Sequence, residues 1–261
     1  MEDYLLFGPV ISLIFGMLIG SFINCLAWRL YKEETIFGRS YCPKCLSKIK
    51  WYDNIPLLSF FILKGKCRSC TQKISWQYPL VELITGLLFY GAFLFCGANL
   101  IDLIRTFIIL SVLVLVFIFD FRWYLIPVSA LLWSSIAIVV LGALTYPLNI
   151  GSYIFALIVT MALTVVFFGA QYLITRGKGL GEGDIWLGAF LGAAFFNLRE
   201  LSVAILSAYC IGAIVAIGLL ISGNKKWGSK LPLGVFLSIG AVIGLFWGGQ
   251  IAAWYLSLFS L

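Results

Sequence analysis

Four cysteines in two Cys-x-x-Cys pairs, a few carboxylates set in apolar sequence and the complete lack of histidine delimit the chemistry open to this chain. Serine–histidine triads, cysteine–histidine dyads and zinc hydrolases that ligate through imidazole are excluded, because each needs histidine as base or ligand. Carboxylate, amine and thiol remain.

Six of the eleven acidic residues lie at or within apolar segments: Glu82, Asp102, Asp120, Glu182, Asp184 and Glu200. A charge is expensive there, which makes each a functional candidate. Asp102 and Glu200 stand beside Arg105 and Arg199 and read as interfacial charges. Asp120 closes one apolar segment and Asp184 opens another, so packing of the segments can bring them together. Around Asp184 the sequence is Gly181-Glu182-Gly183-Asp184. Gly181 and Gly183 allow close approach of a peptide backbone, and a helix N-terminus stabilises a carboxylate. Alone, that string is a capping turn. A second aspartate at matching depth gives it another use: one carboxylate takes a proton from water while the other, protonated, polarises a scissile carbonyl. Acidic residues in a helical bundle also form proton or cation sites, so a small ion-coupled transporter is the alternative, one that leaves the cysteines without a role.

Cys42-Pro-Lys-Cys45 and Cys67-Arg-Ser-Cys70 have the spacing of a four-cysteine zinc site built from two knuckles. Four thiolates close a tetrahedron around Zn²⁺ and leave no open position for substrate, so such a site is structural. The same four thiols could form a disulfide pair, but the charge distribution below puts them in the reducing cytoplasm, which favours metal. A loop this small has little core of its own, and ligation would supply much of its folding free energy.

The elements that must hold these groups are membrane spans. The 261 residues are 62% hydrophobic and 11% charged, against roughly 45–50% apolar usage in soluble domains. A span needs about 20 apolar residues. Eight segments qualify: Tyr4 to Ala27, Pro79 to Ala98, Leu103 to Phe119, Tyr124 to Tyr146, Ile150 to Ile174, the short Ile185 to Phe196, Leu201 to Ser222 and Pro232 to Phe259. With the N-terminus outside, Arg105 and Arg199 alone of the eighteen basic residues fall on the outer side, and Lys225, Lys226 and Lys230 stay inside only if the sixth segment crosses. The first segment follows Glu2 and Asp3 and is too long for a signal-peptide core, so it reads as a retained span. The expected architecture is an all-α polytopic membrane protein with about eight transmembrane helices: a first helix over 1–28, a cytoplasmic four-cysteine zinc-binding insertion over 29–78, and a seven-helix bundle over 79–261. The net charge of +7 sits mostly in the insertion and is explained by topology and anionic lipid headgroups, without a nucleic-acid partner.

Together these residues resemble the prepilin (type IV leader) peptidase family, a bacterial branch of the GxGD aspartyl proteases. The similarity runs through Gly20-Ser21-Phe22-Ile23-Asn24, the two cysteine pairs, the stretch from Trp51 to Ser59, and Tyr78-Pro79-Leu80-Val81-Glu82. It continues through Asp120-Phe121-Arg122 with Ile126-Pro127, Gly181-Glu182-Gly183-Asp184, and Pro232-Leu233-Gly234 with Phe236-Leu237. The chain departs from the family pattern at Val128, where an aspartate is frequent, and at Trp186, where a lysine is frequent. The resemblance implies Asp120 and Asp184 as catalytic pair and cleavage of the basic leader of prepilins or pseudopilins at the cytoplasmic face of a bacterial inner membrane. It also implies methylation of the new N-terminus from S-adenosylmethionine. The cofactor would then sit near Gly20, Asn24, Asp53 and Glu82, although the insertion is far too short for a Rossmann domain. Close packing, turn bonds and a basic partner are the alternative uses of those four residues.

Overall fold

The computed structural model describes residues 2–97, 99–145, 149–223 and 228–259. Ala98 and Tyr146, at expected segment ends, and Lys225 and Lys226 lie outside them. Among the described residues the chain is helical, with no strand, and it divides into two units, 1–99 and 100–261. Seven helices are long and apolar enough to span a bilayer. Their many exposed aliphatic and aromatic side chains, Phe155, Val166, Ile214 and Ile221 among them, suit a hydrocarbon solvent.

In the first unit α1 (Glu2–Tyr31) packs on α3 (Gln77–Cys96) around Ile23, Ala27, Phe89, Ala92 and Phe93. Lipid tails give apolar helices no hydrophobic reason to associate, so close backbone approach supplies the attraction. Gly16 and Gly86 provide it: a Cβ on Gly16 would stand 2.8 Å from the Gly86 Cα. Between these helices the chain makes the cysteine loop, which contains a 3-10 turn at Trp51–Asn54 and the short α2 (Leu58–Ile62). Arg29 at the end of α1 is buried and donates to the carbonyls of Ile36, Gly38 and Arg39, fixing the first leg of the loop.

The second unit holds α4 (Leu100–Trp123), α5 (Val128–Thr145), α6 (Ile150–Thr175), α7 (Glu182–Ala194), α8 (Leu198–Ile221) and α9 (Leu233–Ser257). α4 packs on α5 and α9, α7 on α5 and α6, and α8 on α9. Small residues again set the contacts. Gly240, Gly244 and Gly248 lay one face of α9 against Ala204, Ala208 and Glu200 of α8, and Gly192 of α7 meets Met161 and Thr164 of α6.

α7 is the sixth expected segment, and it differs from the others. Its 13 residues reach about 20 Å, short of a hydrocarbon core about 30 Å thick. It is nonetheless an interior element, with Leu187, Phe190, Leu191, Ala193 and Ala194 buried. It stops where the chain turns extended through Phe195 and Asn197, and Asn197 caps α8 by accepting from the Arg199 amide at 3.1 Å. A helix that ends inside a bundle leaves carbonyls without intrahelical donors. Thr160 Oγ1 donates to the Gly192 carbonyl at 2.8 Å and Arg105 Nη2 to the Ala194 carbonyl at 2.6 Å, the guanidinium also lying over the Phe196 ring. Arg105, one of the two basic residues expected on the outer side, thus serves the end of α7. It is buried and terminates α7.

Arg105→Met keeps the apolar stem but strands a buried carbonyl. It should destabilise the bundle by about 1.5–3 kcal/mol, the worth of a hydrogen bond to a charged group. Thermal unfolding in detergent checks this; an unchanged midpoint would show that the bond contributes nothing.

Candidate active site and cysteine cluster

Asp120 lies three residues from the end of α4 and is buried. Its Oδ2 accepts a hydrogen bond from the Val235 amide at 3.1 Å. That amide belongs to the first turn of α9, one of the donors a helix start leaves without an intrahelical partner. Asp184 lies in the first turn of α7 and is half-buried; its Oδ2 accepts from the Gly181 amide at 2.9 Å, and its own amide donates to the Gly181 carbonyl at 3.1 Å. The capping turn anticipated for Asp184 is thus formed. Each aspartate has one oxygen pinned by a backbone donor, which fixes the carboxylates without a basic side chain.

The segments next to them approach one another at Ile126. A Cβ on Gly234 would stand 2.9 Å from Asp120 Oδ2 and 3.0 Å from Ile126 Cδ1, and one on Gly183 would stand 2.7 Å from Ile126 Cβ. A continuous line of near contacts runs from Asp120 through Gly234 and Ile126 to Gly183, the neighbour of Asp184. Gly181 and Glu182 are exposed, Trp186 is exposed on α7, and Val128 opens α5. Sequence reasoning gave Val235 no place, and named Ile126 and Gly234 only within family motifs. The available signals were the Ile126-Pro127 and Pro232-Leu233-Gly234 strings, the second placing a glycine two residues after a proline at a helix start.

The residues considered for a cofactor divide. Gly20, Asn24 and Glu82 face one another where α1 meets α3. A Cβ on Gly20 would stand 2.9 Å from the Glu82 Cα; Asn24 donates to the Tyr78 carbonyl at 3.2 Å and accepts from Gln77 at 3.3 Å. Glu82 is buried and accepts from the Leu57 amide at 2.8 Å, at a residue whose φ of 59° is rare for leucine. Asp53 belongs to the cysteine loop, where Arg68 donates to both its oxygens at 2.8 and 2.6 Å and holds its carboxyl below the usual range.

The four cysteines converge. Their sulfurs all lie within 4.8 Å of one another, and Cys42 and Cys70 are 3.9 Å apart. Metal–sulfur bonds of about 2.3 Å in a tetrahedron put sulfurs about 3.8 Å apart, so the donor set fits a metal ion. The two knuckles repeat one backbone design: the Cys42 amide donates to the Ser47 carbonyl and Leu46 turns back to Cys42, while the Cys67 amide donates to Gln72 and Thr71 turns back to Cys67. Leu46 and Thr71 both take positive φ at the turn. The Ser47 hydroxyl and amide pull the Cys45 thiol down to about 6, and the Cys70 and Ser69 amides lower Cys67. At Cys70 the Gln72 amide favours the thiolate but is outweighed by desolvation and the neighbouring thiols, which raise it to about 11.

Fold and side-chain clusters define a polytopic α-helical membrane protein with a four-cysteine loop. Residues 14–96 match the bacterial peptidase A24 N-terminal domain, and residues 107–217 match the type IV leader peptidase family. The chain is 34% identical to a prepilin leader peptidase/N-methyltransferase of Myxococcus xanthus, over 84% of this chain and 66% of that protein. It is 32% identical to one from Aeromonas salmonicida, over 94% of this chain and 92% of the relative, and 30% identical to one from Bacillus subtilis, over 95% and 98%. No solved structure gives a significant match. The chain belongs to the type IV leader peptidase family and is a multi-pass inner-membrane protein.

The thiol titrations set the pH dependence of metal binding. At pH 7 Cys45, at about 6, is already a thiolate, whereas Cys70, at about 11, must release its proton on ligation. Each released proton makes affinity rise about tenfold per pH unit. Co²⁺ titrations followed by the thiolate charge-transfer band should therefore tighten from pH 6 to pH 8, and a flat profile would refute the ligand set.

Proposed function

We propose that this chain cleaves the leader peptide from prepilin-type precursors with Asp120 and Asp184, and then methylates the N-terminus so exposed, using S-adenosylmethionine. What supports the peptidase reading is that Asp120 and Asp184 each accept from one backbone amide, and that the helix starts holding those bonds both lie against Ile126. One aspartate takes a proton from water as the oxygen attacks the scissile carbonyl; the other, protonated, hydrogen-bonds the carbonyl oxygen as charge develops there. Collapse of the tetrahedral intermediate breaks the carbon–nitrogen bond, and the proton taken from water passes to the leaving amine. The relatives' names support both activities and lend nothing to a transporter.

S-adenosylmethionine would supply a methyl group on an electrophilic sulfonium. Glu82, buried where α1 meets α3, offers the carboxylate that such a cation calls for, and Asn24 and Gly20 border it. Asp53, bound by Arg68, contributes through the loop. Zinc is the ion we assign to Cys42, Cys45, Cys67 and Cys70, since an all-thiolate tetrahedron selects it among common divalent ions, in a structural role.

Orientation follows from the basic residues: the cysteine loop and the aspartates face the cytoplasm and the N-terminus faces outward. This needs α7 to cross. Its 20 Å and the three extended residues 195–197, at roughly 3.3 Å each, together reach about 30 Å, and non-helical backbone at that depth is tolerated where protein buries it. A basic leader then stays in the cytoplasm while the apolar part of the substrate enters the bilayer, which sets the scissile bond level with the aspartates.

The test is cleavage of a synthetic leader-plus-helix peptide by purified protein in detergent. Asp120→Asn and Asp184→Asn should each lower kcat by at least about 10³-fold. Both variants should still transfer labelled methyl groups to a peptide already cleaved, whereas Glu82→Gln should lose transfer and keep cleavage. Wild-type cleavage by either aspartate variant would reject the pair.

A further inference from the structure

Gly183, in the first turn of α7, and Gly234, in the first turn of α9, are distant in sequence yet abut the same side chain, Ile126 in the connection from α4 to α5. A Cβ at Gly183 would stand 2.7 Å from Ile126 Cβ and 2.9 Å from Cγ1; a Cβ at Gly234 would stand 3.0 Å from Ile126 Cδ1. Carbon atoms rest about 3.5–4.0 Å apart, so neither position accepts a methyl group without moving its neighbour. The atoms nearest Gly183 are the root of the side chain and cannot swing aside. Three features stiffen that root. Isoleucine is branched at Cβ, Pro127 follows with a fixed φ, and the Ile126 carbonyl accepts from the Val128 amide at 2.9 Å.

We propose that Ile126 is a spacer that sets the separation of the two aspartates. It lies between the turn that carries Asp184 and the turn whose Val235 amide holds Asp120, so its width limits how near those two turns can come. Glycine is then required at 183 because the root of Ile126 occupies the space, rather than because a substrate backbone must pass; at 234 Asp120 Oδ2 and Ile126 Cδ1 share that part. Ile126 touches neither reacting atom; it is a positioning residue. The proposal rests on the reading of Asp120 and Asp184 as the catalytic pair.

The experiment is a mutant cycle on purified protein, with cleavage of the leader-plus-helix peptide and thermal unfolding measured for each variant. Gly183→Ala should lower kcat about 100-fold, the effect of displacing a reacting group by about 1 Å. Combining it with Ile126→Ala should recover at least about tenfold of that loss, because shrinking the spacer makes room for the added methyl. If Gly183→Ala fails to fold, recovery of folding in the double variant reads the same clash. Ile126→Val keeps Cβ and both Cγ atoms and loses only Cδ1, so its kcat should fall less than that of Ile126→Ala, with KM unchanged in both. A merely structural role would lower the melting temperature and leave kcat of the folded protein at the wild-type value, and that result overturns the proposal. So does a double variant no better than Gly183→Ala. Failure of the catalytic pair reads differently: Asp120→Asn or Asp184→Asn would then cleave at the wild-type rate, whatever the glycine cycle shows.

Discussion

In the interior of a helical bundle surrounded by hydrocarbon, away from the surfaces that water reaches, carbonyls, amides and carboxylates must find their partners within the chain. The second unit is arranged around this constraint. α7 stops after 13 residues, and its last carbonyls are met by Thr160 and Arg105 from two other helices. The starts of α7 and α9 have the opposite need, orphan amides, and there two aspartates accept. The groups that helix ends leave over are thus used as the partners that make buried charge tolerable.

That arrangement explains how a site can be built without histidine or a basic side chain at its centre. A carboxylate pinned through one oxygen by a rigid amide has a fixed direction, and in the proposed mechanism two such carboxylates at helix ends address one water and one carbonyl. Pre-organisation of this kind is where hydrolytic catalysis finds most of its barrier reduction. It also explains the density of glycine and alanine along α7 and α9. Backbone must approach within a side chain's width for donors on one helix to meet acceptors on another.

The first unit solves its polar accounting by other means. Arg29 gathers three loop carbonyls, Glu82 holds the Leu57 amide in a conformation that leucine otherwise avoids, and two matched turns aim four sulfurs at one point. With little apolar core in the loop, these bonds hold its shape, and a metal ion, which the sulfurs fit, would add to them. The lowered thiols of Cys45 and Cys67 come from amide and hydroxyl donors supplied by the turns themselves, so the backbone design readies ligands before any ion arrives.

Much of this was legible in the residues. Apolar stretches of span length can have only one solvent, the Cys-x-x-Cys spacing can close on one ion, and the absence of histidine leaves carboxylates for hydrolysis. Those inferences depend on local composition and short-range spacing, which the chain carries in one dimension. Asp120 and Asp184 were identifiable as candidates because a charge in an apolar segment is costly wherever it falls. What the residues could not disclose was partnership across the bundle: that Arg105 closes the end of α7, that Val235 holds Asp120, and that Ile126 stands against both Gly183 and Gly234. Such contacts depend on how helices cross and which faces meet. Several packings of the same apolar helices are compatible with the same hydropathy, and only the tertiary structure selects one.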